Sequence, residues 1–103
     1  MDDEIMALGG NIELSGFKGL DSGSFIILKK MIGNYARKMN DMSNKFESLS
    51  LTLKSVHETE ASKKYNIKAK LMDNGKSFNS EKVDRNLFVA VDIALKKLQN
   101  EIS

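Results

Sequence analysis

Apolar and polar residues alternate along three stretches of the chain, and this period of two predicts β-strands. The first stretch is short and runs from Ile12 to about Phe17. In the second, from Phe46 to Val56, three leucines share one side of the predicted strand. The third stretch has the clearest alternation, with Tyr65, Ile67, Ala69 and Leu71 on one side and Lys64, Asn66, Lys68 and Lys70 on the other.

Turn-forming residues separate these stretches and introduce a further strand. Asp73-Asn74-Gly75 is typical of a tight hairpin, so residues from Lys76 to about Val83 are predicted to form a weaker antiparallel strand. The polar stretch from His57 to Lys63 is interpreted as a loop, and that from Asn40 to Lys45 as a turn.

Two other stretches repeat apolar residues every three or four positions, which is the period of an amphipathic helix. The first runs from about Ser22 to Met39, with Asp21, Ser22 and Ser24 as candidate N-caps. The second is predicted to be capped by Asp84 and to end near Ile102. The apolar stripes are Phe25, Leu28, Met31, Ile32, Tyr35 and Met39 in the first helix and Leu87, Val91, Ala94, Leu95, Leu98 and Ile102 in the second.

The element order is therefore β-α-β-β-β-α, which predicts an α+β fold. In the expected two-layer sandwich, both helices cover one face of a four-stranded sheet and the other face is open to solvent. Residues 1–10 are interpreted as a flexible acidic leader, and residues 11–103 as a single domain.

The net charge of +2 conceals an uneven distribution of charge along the chain. Residues 1–25 carry one lysine against five acidic residues, whereas residues 26–76 carry eleven basic residues against five acidic ones. Residues 77–103 are balanced, with four of each. A central basic block indicates a polyanionic partner, although a lysine-rich surface that only keeps the protein soluble is about as consistent with charge alone.

Composition excludes several classes of function. The chain has no cysteine and a single histidine, His57, so we expect no thiolate or multi-histidine metal site and no cofactor. It also lacks a glycine-rich phosphate loop and a nucleophile elbow, so we expect neither an enzyme nor a small-molecule substrate. No apolar run approaches the roughly 18 residues that span a bilayer, and the acidic N-terminus is unlike a secretory signal. A cytoplasmic location without membrane contact is the expectation.

The predicted elements sort the basic residues into three groups. One group lies on the open face of the sheet, one on the outer face of the first helix and one on the outer side of the second. A folded RNA that wraps around a small protein could contact all three groups through its phosphates. The candidate RNA-binding residues are Lys54, Lys68 and Lys70 on the sheet, Lys29, Lys30 and Arg37 on the first helix, and Lys96 and Lys97 on the second.

Three segments resemble the ribosome hibernation-promoting factor family, the short ribosome-associated translation inhibitors. Asn86-Leu87-Phe88-Val89-Ala90-Val91-Asp92, followed by a helix containing Lys97-Leu98, is similar to the family's Asp-Met-Tyr-x-Ala-Ile-Asp run. Lys64-Tyr65-Asn66-Ile67-Lys68-Ala69 resembles its strand that begins with Lys-Tyr, and Asn34-Tyr35-Ala36-Arg37-Lys38-Met39 its aromatic-x-Lys-Leu pattern. The chain departs from the family at Asn86 and Phe88, where aspartate and tyrosine are usual.

The resemblance implies a divergent short form of the family, with an archaeal source as one interpretation. It further implies binding to rRNA in the decoding channel of the small ribosomal subunit, and steric inhibition of translation under stress or starvation. Arg37 and Lys97 are the residues it carries over as phosphate contacts, and the chain is expected to be a monomer or a weak homodimer. A general double-stranded-RNA binder and a protein-interaction or homodimerisation module remain as alternatives.

Overall fold

A computed structural model describes residues 5–59 and 62–102 of the chain. Within these residues, two helices pack on one side of a five-stranded mixed sheet, so the predicted α+β class is confirmed. The elements in chain order are β1 (Ile5–Gly9), β2 (Ile12–Ser15), α1 (Ser22–Met42), β3 (Phe46–Thr59), β4 (Ser62–Asp73), β5 (Lys76–Asp84) and α2 (Leu87–Ile102).

The strands lie in the sheet in the same order as in the chain, from β1 to β5. Only β2 and β3 pair in parallel, because α1 crosses between them; the other neighbours are antiparallel. The β3–β4 pair is the longest in the sheet. It extends past β2, which pairs with β3 only from Leu49 to Thr52. The protein is accordingly elongated, with extents of 44 × 23 × 22 Å.

The core forms between the helices and the apolar side of the sheet, as the alternation predicted. Helix α2 packs on β4 and β5, and α1 packs on α2 and β3. The largest fully buried side chains come from both layers and are Phe17, Leu14, Leu28, Ile32, Met39, Leu49, Leu51, Ile67, Leu71, Leu95, Leu98 and Val91. Burying this apolar surface is the main term that favours folding of the domain.

Short polar side chains fix where the helices begin. The Asp21 carboxylate accepts a hydrogen bond from the backbone N–H of Ser24 (2.9 Å), which caps α1 and lowers the pKa of Asp21. At α2 the cap is Asn86, whose side-chain oxygen accepts from the backbone N–H groups of Phe88 and Val89. The prediction that Asp84 caps this helix is wrong, because its carboxylate accepts from the N–H of Asn86 instead.

Two further predictions about local structure require correction. The flexible leader predicted over residues 1–10 is wrong for residues 5–9, which form an edge strand paired with β2, and its residues 1–4 lie outside the described part of the chain. The sheet therefore has five strands rather than four. The stretch from His57 to Lys63 was assigned to a loop, yet β3 continues to Thr59 and β4 begins at Ser62. The Asn-Gly hairpin is confirmed: Asn74 and Gly75 both have positive φ, as a two-residue turn of the primed type requires.

A hydrogen bond joins the two helices. The Tyr35 hydroxyl donates to the Asp92 carboxylate at 2.6 Å, and burial together with that carboxylate raises the pKa of Tyr35 to about 12. Both residues belong to segments that resemble the hibernation-promoting factor family. These matching positions therefore hold the helix layer together.

We expect Tyr35→Phe to lower the free energy of unfolding by about 1–2 kcal/mol at neutral pH, because Asp92 loses a hydrogen bond. The folded-state pKa of about 12 lies above the ordinary value of 10.0, so the hydroxyl's contribution is complete below pH 10 and is lost as the pH rises toward 12. Urea unfolding of both proteins across this range should show the difference shrinking.

The matched control for this variant is Tyr65→Phe, since the Tyr65 hydroxyl makes no hydrogen bond within the described residues. We expect the control to change the unfolding free energy little at any pH in this range. Equal effects of the two substitutions would show that the interhelical hydrogen bond adds no stability.

Candidate nucleic-acid interface

The basic residues predicted on α1 all lie on its solvent-facing side. Lys29, Lys30 and Arg37 are exposed, and none of them makes an ion pair within the described part of the chain. The Lys29 ammonium lies 5.6 Å from the centre of the Phe25 ring, a cation–π distance. Arg37 borders a groove between α1 and the β1–β2 turn, beside Asn40. This side of α1 therefore presents positive charge that no carboxylate of the described residues neutralises through an ion pair.

The two lysines of α2 differ in their surroundings. Lys96 is exposed and makes no contact with another charged group of the described residues. Lys97 is also exposed, but its ammonium donates a hydrogen bond to the backbone carbonyl of Glu81 on β5 at 3.3 Å. Lys97 consequently reaches over the free edge of the sheet, whereas Arg37 lies toward β1 and β2. The two residues carried over by the resemblance lie on opposite flanks of the helix layer.

On the open face of the sheet, three lysines form a row, called here the lysine row: Lys54 on β3 and Lys68 and Lys70 on β4. All three are exposed and lack an ion pair among the described residues. The strand register sets their spacing, since Ser50 lies opposite Lys70, Thr52 opposite Lys68 and Lys54 opposite Asn66. Alternate residues on a strand are about 6.8 Å apart. Neighbouring lysines of the row are therefore offset by about this distance along the strand direction.

Two carboxylates lie beside the lysine row and not within it. Glu81 on β5 is opposite Lys68, but its carboxylate accepts from the Asn66 side-chain nitrogen at 2.8 Å. Glu13 on β2 lies one strand beyond the row on the other side, opposite Ser50. Between these margins, a depression of about 520 Å³ is lined mainly by polar side chains, namely Ser50, Thr52, Lys68, Lys70, Asn79 and Glu81.

The structure thus divides the eight predicted residues between the two faces of the protein. One face carries the lysine row, and the other is the outer helix layer, with three residues from α1 and two from α2. Lys38 is a further exposed basic residue that is not among the eight predicted ones, and its ammonium lies 5.8 Å from the centre of the Tyr35 ring. Helical periodicity could have placed Lys38 beside Tyr35 on α1. That the Tyr35 side of α1 faces α2 is shown only by the Tyr35–Asp92 contact in the structure.

Other kinds of site are not evident in the described residues. Within residues 5–59 and 62–102, no three or more His, Cys, Asp or Glu residues are arranged so that they could hold a metal ion. The side chain of His57 lies outside what the structure describes. No helix of the described part of the chain is long and apolar enough to cross a membrane.

Comparison of the whole fold with solved structures identifies a similar protein, the N-terminal domain of Protein Y from Thermus thermophilus. The two superpose with a TM-score of 0.54 and 14% sequence identity, over 74% of this chain and 79% of that one. They share a fold. The resemblance to the ribosome hibernation-promoting factor family predicts this fold, so the resemblance is confirmed for the fold.

The other comparisons found a weaker structural match and no sequence match. A ribosomal subunit interface protein from Coxiella burnetii superposes less well on this chain, with a TM-score of 0.48 and 13% identity over 69% of this chain and 77% of that one. No family model and no curated protein matches the sequence. The likeness to Protein Y therefore concerns the fold alone.

Proposed function

We propose that this protein binds the small ribosomal subunit through rRNA and inhibits translation by occupying the decoding channel. The observation that carries the proposal is the set of exposed basic side chains that make no ion pair among the described residues, displayed by a fold shared with the Protein Y domain. The three family-like segments in the sequence supply the choice of partner. Stress or starvation is the condition under which such inhibition is expected to operate.

The mechanism needs no chemical step. Each lysine or arginine that neutralises a phosphate releases condensed counterions, and this release supplies most of the affinity. Folded RNA is recognised largely by its shape and by phosphate and 2′-hydroxyl contacts. A rigid two-layer domain held in the channel then excludes messenger and transfer RNA by its volume alone.

Sedimentation tests the proposal directly. Purified protein mixed with separated ribosomal subunits should migrate with the small subunit on a sucrose gradient at low salt and should dissociate at high salt. Absence from the small-subunit fractions at low salt would reject the proposal. An equal distribution between subunits, or complete displacement by a plain RNA duplex, would instead favour a general double-stranded-RNA binder.

A functional assay completes the test. In cell-free translation, we expect added protein to lower product yield at concentrations where it saturates small subunits, and pre-bound messenger and initiator transfer RNA to compete with it. Full translation with saturated subunits would show that the protein binds ribosomes without blocking the channel.

A further inference from the structure

We infer that the open face of the sheet is a track for one strand of RNA, separate from the helix-layer surface. This inference rests on the proposed function for the class of partner, and it adds which form of RNA the sheet face binds and how. Three features of the face carry the inference: the spacing of the lysine row, the carboxylates on both sides of it, and the hydroxyl and amide groups beside it.

The spacing of the row suits successive phosphates of one strand. Lys68 and Lys70 are about 6.8 Å apart along β4, and Lys54 continues the row from β3 at the level of Asn66. Successive phosphates along one nucleic-acid strand lie several ångströms apart through space, which is the scale of this interval. The row can therefore place one ammonium beside each of successive phosphates of one strand.

The width of the row restricts it to one strand. Glu13 and Glu81 lie on β2 and β5, three strand spacings or about 14 Å apart. A duplex laid on this face would bring its second row of phosphates toward one of these carboxylates. A single strand can keep its phosphates over the lysine row, between the two carboxylates. The hydrogen bond from Asn66 holds the Glu81 carboxylate at the margin, where it does not neutralise Lys68.

The groups that line the depression suit ribose. Ser50, Thr52 and Asn79 offer hydroxyl and amide groups next to Lys68 and Lys70, and Glu81 offers an acceptor for a 2′-hydroxyl. Stacking does not contribute, because no aromatic residue lies among these groups. The 2′-hydroxyl is the group by which proteins distinguish RNA from DNA, so the track should prefer RNA and read little of its sequence.

Fluorescence anisotropy with a labelled uridine oligonucleotide about eight nucleotides long tests the track on the full chain. We expect this RNA to bind more tightly than a duplex RNA or an oligothymidylate of the same length. The logarithm of the affinity should fall with the logarithm of salt concentration at a slope of about −2, from three phosphate contacts. Equal or tighter binding of the duplex would overturn the inference.

Variants locate the binding on the protein. Lys68→Gln with Lys70→Gln should weaken oligonucleotide binding about 25-fold at roughly 0.1 M salt and reduce the slope by about 1.4, because two contacts are lost. The matched control is Lys45→Gln with Lys76→Gln, which removes two exposed lysines near the β4–β5 turn and should change binding little. Equal losses in both pairs, or no loss in the first, would contradict the track.

Co-sedimentation of the same variants with small subunits separates the two proposals. Oligonucleotide binding at the lysine row together with failure to sediment would reject the proposed function and retain the track. Sedimentation without oligonucleotide binding would reject the track and retain the proposed function.

Discussion

Reversing two charges on α1, with Lys30→Glu and Arg37→Glu, should weaken binding to the small ribosomal subunit by about 100-fold at roughly 0.1 M salt. Each lost phosphate contact with duplex-like RNA reduces the slope of log affinity against log salt concentration by about 0.9. At this salt concentration, that corresponds to a nearly tenfold loss of affinity. Repulsion from the new carboxylates adds to that loss. Both side chains are exposed and make no ion pair within residues 5–59 and 62–102, so the fold should be retained. Binding to immobilised subunits at fixed salt measures the effect.

The control for this variant must carry the same net charge. Lys45→Glu with Lys76→Glu meets that condition, since both lysines are exposed and lie near the β4–β5 turn, outside the helix layer and the lysine row. We expect the control to lose only a few-fold in affinity through its altered net charge. Similar losses in the two variants would mean that α1 makes no specific contact with the ribosome.

The buried face of the sheet could be predicted because buried and exposed residues alternate strictly along β4. On β4 each alternate residue from Ile67 to Leu71 is buried, so the period of two marks the strand without ambiguity. Strand β1 carries a weaker signal: it lies at the edge of the sheet, Met6 and Leu8 are only half-buried, and Gly9 ends it. An acidic composition before it suggested a leader, but pairing with β2 overrides that local preference.

The candidate interface could be predicted as groups of residues but not as surfaces. The two-residue turn at Asn74-Gly75 fixes the register of β4 and β5, so the position of Glu81 opposite Lys68 was available from the sequence. The register of β3 and β4 was not, because the connecting stretch was assigned to a loop. The contact from Lys97 to the Glu81 carbonyl depends on how α2 is rotated over the sheet. Such a rotation is set by packing.

Gly16→Ala should destabilise the protein by about 3 kcal/mol or more, and lower its melting temperature by roughly 15 °C. Gly16 directly follows β2 and has a φ of 84°, which costs an L-residue about 1–2 kcal/mol. An added Cβ would also overlap the backbone carbonyl of Leu53 on β3. Relieving that overlap requires the end of β2 to separate from the middle of β3, next to the fully buried Leu14 and Phe17.

Substituting Gly33 by alanine provides a control for which the expected change in stability has the opposite sign. Gly33 lies inside α1 with nothing within 4 Å of an added Cβ, so Gly33→Ala should stabilise the protein by up to about 1 kcal/mol through helix propensity. Thermal and urea unfolding of the two variants, followed by circular dichroism, measure both effects. A Gly16→Ala variant as stable as the unaltered protein would show that β2 does not approach β3 as closely as described. The parallel pairing that orders the sheet would then need revision.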